Sequence, residues 1–211
     1  MTSLNRALYL LFCIAIWVPT FASESVWQSS STAAVGNASV IETRYRITKT
    51  ELGTVIFEYR VAQDVRVEQD RWRAVIGDLA VLARLEEVDK IEVRHSTVAM
   101  QDVLYFSVAA KWPMPSADVV IKVTEGQDQD GVIWREYASM PAFLASTADL
   151  RFLIFNVRYE FLDLGNGKAR IAIKVVKSPP FKLPKWLVTN AFPKASVEHL
   201  GRLTAELNSN F

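Results

Sequence analysis

The segment Trp112–Lys122, WPMPSADVVIK, joins two stretches of strand-forming residues and decides the fold. Proline fixes its own φ and has no N–H group to donate to a neighbouring strand. Pro113 and Pro115 therefore predict that the first strand ends near Trp112. The alternation of apolar residues from Val119 to Val123 then predicts that a second strand follows. Taken alone, these residues predict a rigid turn between two strands.

The first 22 residues have the features of a secretory signal peptide. Arg6 precedes the apolar run Ala7–Val18, and Thr20 and Ala22 place small residues at the −3 and −1 positions. We expect cleavage near Ala22 and an exported protein, either periplasmic or secreted. An uncleaved anchor is the alternative, although the run is shorter than the about 20 apolar residues that span a bilayer.

Cysteine usage agrees with a bacterial periplasm. The only cysteine, Cys13, lies in the signal segment, so the mature chain would contain no disulfide and no reactive thiol. An exported domain without disulfides is more typical of the periplasm than of eukaryotic secretion.

The composition is that of an ordinary globular protein with one domain. The chain has 211 residues, of which 50% are apolar and 22% are charged, and its formal net charge is +1. A nearly neutral chain has no overall field that attracts nucleic acid. The sequence contains no metal-ligand spacing, P-loop, GxSxG elbow or dinucleotide-binding motif, so we expect no catalytic residues, no metal and no cofactor.

The pattern of apolar residues predicts a mixed α+β domain over residues 40–208, preceded by a flexible linker over 23–39. A hairpin is expected first, then an amphipathic helix over 65–86 that Gly77 could divide in two, and finally a long helix from Pro184 that Pro193 should kink or split. Between the two helical regions the predicted strands are 90–98, 102–111, 118–125, 131–138, 152–163 and 168–177. About eight antiparallel strands and one long apolar-faced helix favour a curved sheet that grips the helix and leaves a cavity between them.

In this order of elements, the stretches Trp112–Val120 (WPMPSADVV) and Pro184–Asn190 (PKWLVTN) resemble the START lipid-binding domain. START is the lipid-transfer domain related to the steroidogenic acute regulatory protein, within the Bet v 1-like helix-grip superfamily. The resemblance covers about residues 41–208. It implies a helix-grip fold with an internal hydrophobic cavity and a non-catalytic function in binding, and also in transferring, a lipid or another hydrophobic small molecule.

The sequence departs from the START pattern at three positions. Ala117 stands where an arginine is usual, and Leu104 and Val123 stand where cholesterol-binding members carry a buried Glu/Arg pair. These apolar residues argue against sterol recognition through that pair.

The resemblance also implies that the ligand contacts side chains on the inner faces of the strands and on the last helix. The candidate cavity residues are Tyr105, Trp134, Phe155, Val157, Tyr159, Phe161, Trp186 and Phe192. Residues 132–138 place one charge on each face, so either Glu136 or Arg135 would point inward and need a partner. Arg158 or His95 could pair with Glu136 and orient a polar headgroup.

Two further surfaces are predicted. Met140, Phe143 and Leu144 make the segment 139–150 too apolar for a free loop, which favours a lid over the cavity mouth. Lysines beside aromatic residues suit an anionic membrane surface, and the candidates for transient contact are Phe181, Lys182, Lys185 and their neighbours Lys177, Trp186 and Lys194.

Two other classes of function stay open. The first is an enzyme of the same fold, of the cyclase or hydrolase kind, in which Glu136 with Tyr105 or Tyr159 would transfer protons to a hydrophobic or aromatic substrate. The second is an envelope protein-interaction module with a filled core. His199 lies near the apolar stripe of the last helix, where packing is its expected role.

Overall fold

A computed structural model describes residues 26–33, 40–50, 54–96, 101–110, 115–143, 150–181 and 185–209. For 30–33, 95–96, 101–102 and 185–193 only the backbone is described. The signal segment, Trp112–Met114 of the WPMPSADVV stretch, Leu144 and Lys182 lie outside the described residues.

The described chain forms a ten-stranded sheet and three helices. The strands are β1 (Gln28–Ala33), β2 (Val40–Lys49), β3 (Val55–Arg66), β4 (Lys90–Ser96), β5 (Gln101–Val108), β6 (Ala117–Gln127), β7 (Ile133–Ser139), β8 (Leu150–Arg151), β9 (Ile154–Gly165) and β10 (Lys168–Ser178). The helices are α1 (Gln69–Gly77), α2 (Leu79–Glu86) and α3 (Lys185–Asn208).

The sheet is antiparallel, and its strand order is β1-β2-β3-β10-β9-β7-β6-β5-β4. Neighbouring strands are joined mainly by short hairpins, whereas α1 and α2 carry the chain from β3 to the far edge at β4. The short strand β8 pairs in parallel with β6. The helix α3 packs against β2, β3, α1 and α2 on the inner side of the curved sheet. This is the predicted helix-grip architecture.

The two faces of the sheet follow from the two-residue period of each strand. On β9, Phe155, Val157, Tyr159 and Phe161 belong to the main core, whereas Asn156 and Arg158 point to the opposite side. Ile171, Ile173 and Val175 continue the inner face on β10. From α3, the core receives Leu200, Leu203 and Leu207. We call the side of the sheet that carries this core the inner face.

The predicted break in the first helical region is confirmed at Asp78. Its Oδ1 accepts the backbone N–H groups of Ala80 at 2.7 Å and Val81 at 3.0 Å, so Asp78 caps the start of α2. The helical region begins at Gln69 rather than at residue 65, because β3 continues to Arg66 in its ladder with β10.

Three sequence predictions need correction. Residues 28–33 lie in the stretch predicted as a flexible linker, but they form β1 along β2, since backbone pairing requires no apolar side chains. The number of strands rises from about eight to ten because β1 and β8 were not predicted. Pro193 does not split α3, which runs continuously from Lys185 to Asn208.

Candidate functional site

Aromatic side chains form a connected wall on the inner face of the sheet. The rings of Phe106 and Phe155 meet edge to face at 6.0 Å between centroids, and Phe152 meets Phe155 at 5.8 Å. Such arrangements are preferred by aromatic quadrupoles. The predicted cavity residues Phe155, Val157, Tyr159 and Phe161 are therefore placed on the face that the sequence indicated. The side chains of Trp186 and Phe192 are outside the described atoms.

Five polar side chains meet inside this apolar interior: Tyr59, Glu86, Tyr159, Lys177 and His199. We call them the interior polar cluster. Tyr59, Tyr159 and Lys177 come from β3, β9 and β10, in phase with the core residues of each strand. Glu86 is the last residue of α2, and His199 projects from α3.

Glu86 is the centre of the interior polar cluster. Its side chain is 1% exposed, and Oε2 accepts the Lys177 Nζ–H at 2.7 Å while Oε1 accepts the Tyr159 hydroxyl at 2.6 Å. Burial alone would raise the pKa of Glu86, but the Lys177 charge and these hydrogen bonds outweigh it, so the pKa is lowered. Glu86 is therefore an anion paired with the Lys177 cation.

The hydrogen bonds determine the tautomer of His199. The Tyr159 hydroxyl donates to Glu86, so its oxygen can accept the His199 Nε2–H at 2.9 Å. Nδ1 is then unprotonated and accepts the Tyr59 hydroxyl at 2.8 Å. Burial lowers the pKa of His199 to about 4, which agrees with a neutral ring whose two nitrogens are both satisfied.

The two tyrosines of the cluster also stay neutral. Burial, followed by the nearby Glu86 charge, raises the pKa of both Tyr59 and Tyr159 well above the usual value. Near neutral pH the interior polar cluster therefore contains one anion and one cation. It can offer polar contacts to a ligand without presenting a net charge.

Four predicted cavity residues lie on the opposite, outer face of the sheet. Tyr105 groups with Val103 and Val120, away from the main core. Tyr137 lies in the core, so the alternation of β7 directs Trp134 and Glu136 to the outer face. Arg158 also lies on the outer face, where it binds Asp128 at 2.6 Å. The prediction that these residues line the interior is corrected.

The inward charge of β7 is Arg135 rather than Glu136. Its Nη1 donates to Oε1 of Glu125 at 2.5 Å, and the two residues face each other across β6 and β7. This cross-strand neighbour supplies the partner that an inward charge requires. The expected pairing of Glu136 with Arg158 is not formed, because Arg158 binds Asp128 and Glu160. The His95 side chain is not described.

The segment predicted as a lid is fastened to the outer face as far as Phe143. Met140 and Phe143 pack against Val103, Tyr105 and Val120. The backbone N–H of Met140 donates to the Val120 carbonyl at 2.7 Å. These two residues therefore cover the sheet on the side away from the interior, which corrects the lid prediction for them.

Asp118, from the WPMPSADVV stretch, holds the end of the same segment through Arg151. The guanidinium donates to both carboxylate oxygens, at 2.7 and 2.8 Å, and the Tyr105 hydroxyl donates to Oδ2 at 2.8 Å. Arg151 also donates to the Pro141 carbonyl at 3.2 Å. We call Asp118 and Arg151 the outer-face pair.

The proposed membrane-contact residues are only partly described. Lys177 points into the interior rather than toward the surface. Lys194 lies on the exposed side of α3, 3.5 Å from Glu198, and Phe181 is half-buried. The side chains of Lys182 and Lys185 are not described, so their membrane contact stays a prediction.

Most of the interior polar cluster was not identified from the sequence. A signal was nevertheless present for Lys177, which follows Ile171, Ile173 and Val175 at the two-residue spacing of an inner face. Glu86 follows the buried Leu82 by four residues and so lies on the buried side of α2. Neither pattern indicates which partner compensates the charge.

Two features are absent from the described residues. These residues contain no cluster of three or more His, Cys, Asp or Glu side chains that could hold a metal ion. Within the same residues, no helix has both the length and the apolar character needed to cross a membrane.

Comparison with solved structures identifies the fold. The chain matches a STAR-related lipid transfer protein from Xanthomonas axonopodis with a TM-score of 0.66 and 19% identity, covering 87% of this chain and 99% of that one. Human StAR-related lipid transfer protein 5 gives a TM-score of 0.65 at 16% identity and 86% coverage of both chains. Human STARD10 gives 0.64 at 14% identity, with 86% of this chain and 72% of the other covered.

These similarities show that the chain has the START helix-grip fold. The sequence matches no protein-family model and no curated protein significantly.

Proposed function

We propose that this protein binds a lipid or another hydrophobic small molecule between the inner face of its sheet and α3, and transfers it without chemical change. The proposal rests on one observation: an aromatic wall and a compensated polar cluster share the interior of a START fold. The wall offers apolar area, which stabilises a bound chain by about 25 cal/mol per Å² removed from water. A few polar groups at the edge of such a wall would fix the orientation of the ligand.

Solved proteins with this fold are described as lipid transfer proteins, which supports the proposal.

We further propose that the protein acts in the cell envelope after export, because residues 1–22 have the pattern of a signal peptide. Fractionation of cells that express the full chain, with N-terminal sequencing of the mature protein, tests the export.

Binding is tested with a hexadecanol that carries a photoactivatable diazirine at carbon 2, next to the hydroxyl. After irradiation, mass spectrometry of peptides should place the label on the inner residues of β9, such as Phe155 and Val157. Asn156 and Arg158 alternate with them on the outer face and act as an internal control in the same strand. Equal labelling of both sets, or none, contradicts an interior site.

The same samples distinguish the two alternative functions. Recovery of unlabelled hydrophobic ligand unchanged after prolonged incubation, and its movement between donor and acceptor vesicles, supports a carrier. Conversion of the ligand would favour an enzyme. Of its suggested acid–base residues, Glu136 and Tyr105 lie on the outer face, and Tyr159 lies in the interior. Failure of every ligand to enter a well-folded protein would favour an interaction module.

A further inference from the structure

Lys177 lies where the aromatic wall meets the interior polar cluster. In the strand register, Lys177 stands between Phe57 of β3 and Phe155 of β9. Its Nζ lies 4.1 Å from the centroid of the Phe155 ring, and its side chain is 21% exposed. The Lys177 side chain is therefore only partly covered where it lies against the Phe155 ring.

The described residues use only part of the hydrogen-bonding capacity of Lys177. An ammonium group has three N–H donors. Among the described residues, the Lys177 ammonium has one hydrogen-bond acceptor, Glu86 Oε2 at 2.7 Å. The face of the Phe155 ring supplies a cation–π contact in addition. A ligand oxygen can therefore be bound without breaking the pair with Glu86.

The charge of Glu86 determines which oxygen is favoured. An anionic headgroup bound to Lys177 would lie close to the Glu86 carboxylate in an interior where charges are weakly screened. An uncharged hydroxyl or carbonyl oxygen accepts the same hydrogen bond without that repulsion. His199 is neutral, and the two tyrosines use their protons on Glu86 and His199, so none of them offsets a second negative charge.

We propose that Lys177 is the polar anchor of the interior site, and that it selects ligands with an uncharged hydroxyl or carbonyl at the end of an apolar body. Carboxylates and phosphates are disfavoured. The inference rests on the proposed function, because it assigns the headgroup contact of the same interior site. Lys177 and Glu86 lie on β10 and α2, apart from the apolar positions Leu104 and Val123.

The test measures displacement of the uncharged fluorescent probe N-phenyl-1-naphthylamine at pH 7.5 by three competitors with the same chain length. Hexadecanol should displace the probe at a concentration at least tenfold lower than hexadecanoic acid or hexadecane. Equal or stronger displacement by the acid would overturn the assignment. Absence of probe and ligand binding in the wild type would instead contradict the proposed function itself.

Two variants identify the anchor. Lys177→Met combined with Glu86→Gln removes the donor without leaving a buried charge, and it should reduce the preference for hexadecanol to less than twofold while the probe still binds. Lys174→Met is the matched control, because Lys174 lies on the outer face of β10 and its Nζ binds Glu160 at 2.6 Å. This control should keep the preference. A double variant that keeps it too would exclude Lys177 as the anchor.

A measurement on the wild type covers the case in which the double variant does not fold. Hexadecanol with a diazirine at carbon 2, next to the hydroxyl, should label peptides that contain Phe57, Phe155 or Lys177. With the diazirine at the terminal carbon, labelling of these peptides should fall several-fold. The same labelling pattern from both positions would overturn the proposed orientation.

Discussion

Removing Arg151 from the outer-face pair tests how a buried charge in the WPMPSADVV stretch stabilises the fold. The Asp118 side chain is fully buried, and that of Arg151 is 10% exposed. Substitution Arg151→Met keeps most of the side-chain volume but removes both hydrogen bonds to the carboxylate and the one to the Pro141 carbonyl. Asp118 would keep the Tyr105 hydroxyl as a donor.

The expected loss of stability follows from the uncompensated charge. Removing one partner of a buried ion pair costs about 3–5 kcal/mol. The remaining Tyr105 bond favours the lower end, and the lost Pro141 bond adds about 1 kcal/mol. We therefore expect the free energy of unfolding to fall by about 4 kcal/mol. For a domain of this size, that corresponds to a decrease in Tm of about 10 °C.

Urea denaturation followed by far-UV circular dichroism measures this change. Lys194→Met is the control, because its pair with Glu198 is exposed and exposed pairs contribute only about 0–1 kcal/mol. Adding Asp118→Asn to Arg151→Met removes the unpaired charge and keeps an acceptor for Tyr105, so it should restore most of the loss. A loss below 1 kcal/mol for Arg151→Met, or no restoration in the double variant, would refute the reasoning.

Three further predictions concern the interior and the β6–β7 hairpin. Burial holds the pKa of His199 at about 4 in the folded state, below its ordinary value of 6.5. The unfolded chain therefore takes up a proton first as the pH falls, so the free energy of unfolding is unaffected by His199 above pH 6.5 and decreases by ~3 kcal/mol between pH 6.5 and 4. Urea midpoints between pH 4 and 7 should therefore drop more steeply for the wild type than for His199→Gln, and parallel curves would contradict this. Tyr159→Phe removes the hydroxyl between Glu86 and His199 and should lower the free energy of unfolding by about 1–3 kcal/mol, whereas no change in the urea midpoint would show that the hydroxyl is dispensable. Gly126→Ala places a Cβ 2.5 Å from the Trp134 ring, so the ring should move and its NMR signals should shift; unchanged signals would show that this contact is absent.

The element order was predictable because it depends on local patterns. The two-residue alternation on the strands, the change to helical spacing after β3 and the prolines after Lys111 each act over a few residues. β1 carries no such pattern, since Ser29, Ser30 and Ser31 have little preference for either face, and it is held by its ladder with β2. Only its pairing with β2 reveals it as a strand.

The site was less predictable. The face of the sheet on which a side chain lies, and the partner that it binds, both depend on three-dimensional packing. Tyr105 and Trp134 are large aromatic residues on strands, and sequence does not show that the outer face is also covered at Tyr105 by Met140 and Phe143. Lys177 was interpreted as a surface lysine because Glu86, its partner, is 91 residues away in the chain. Burial of a charge can be recognised only when the compensating charge is known.

The outer-face pair and the Lys177–Glu86 pair therefore have different relations to the proposed ligand. In the outer-face pair, Nε and Nη2 of Arg151 each donate to one oxygen of Asp118. Further bonds join Asp118 to Tyr105 and Arg151 to Pro141, which suits a structural fastening of residues 140–151 to β6. In the interior pair, Glu86 is equally well bound, whereas Lys177 has one hydrogen-bond acceptor among the described residues and a partly exposed side chain beside an aromatic wall. A buried ion pair contributes little net stability compared with apolar residues of similar volume. A pair that contributes little stability and leaves the lysine side chain partly exposed therefore supports the proposed role of Lys177 in recognising a ligand.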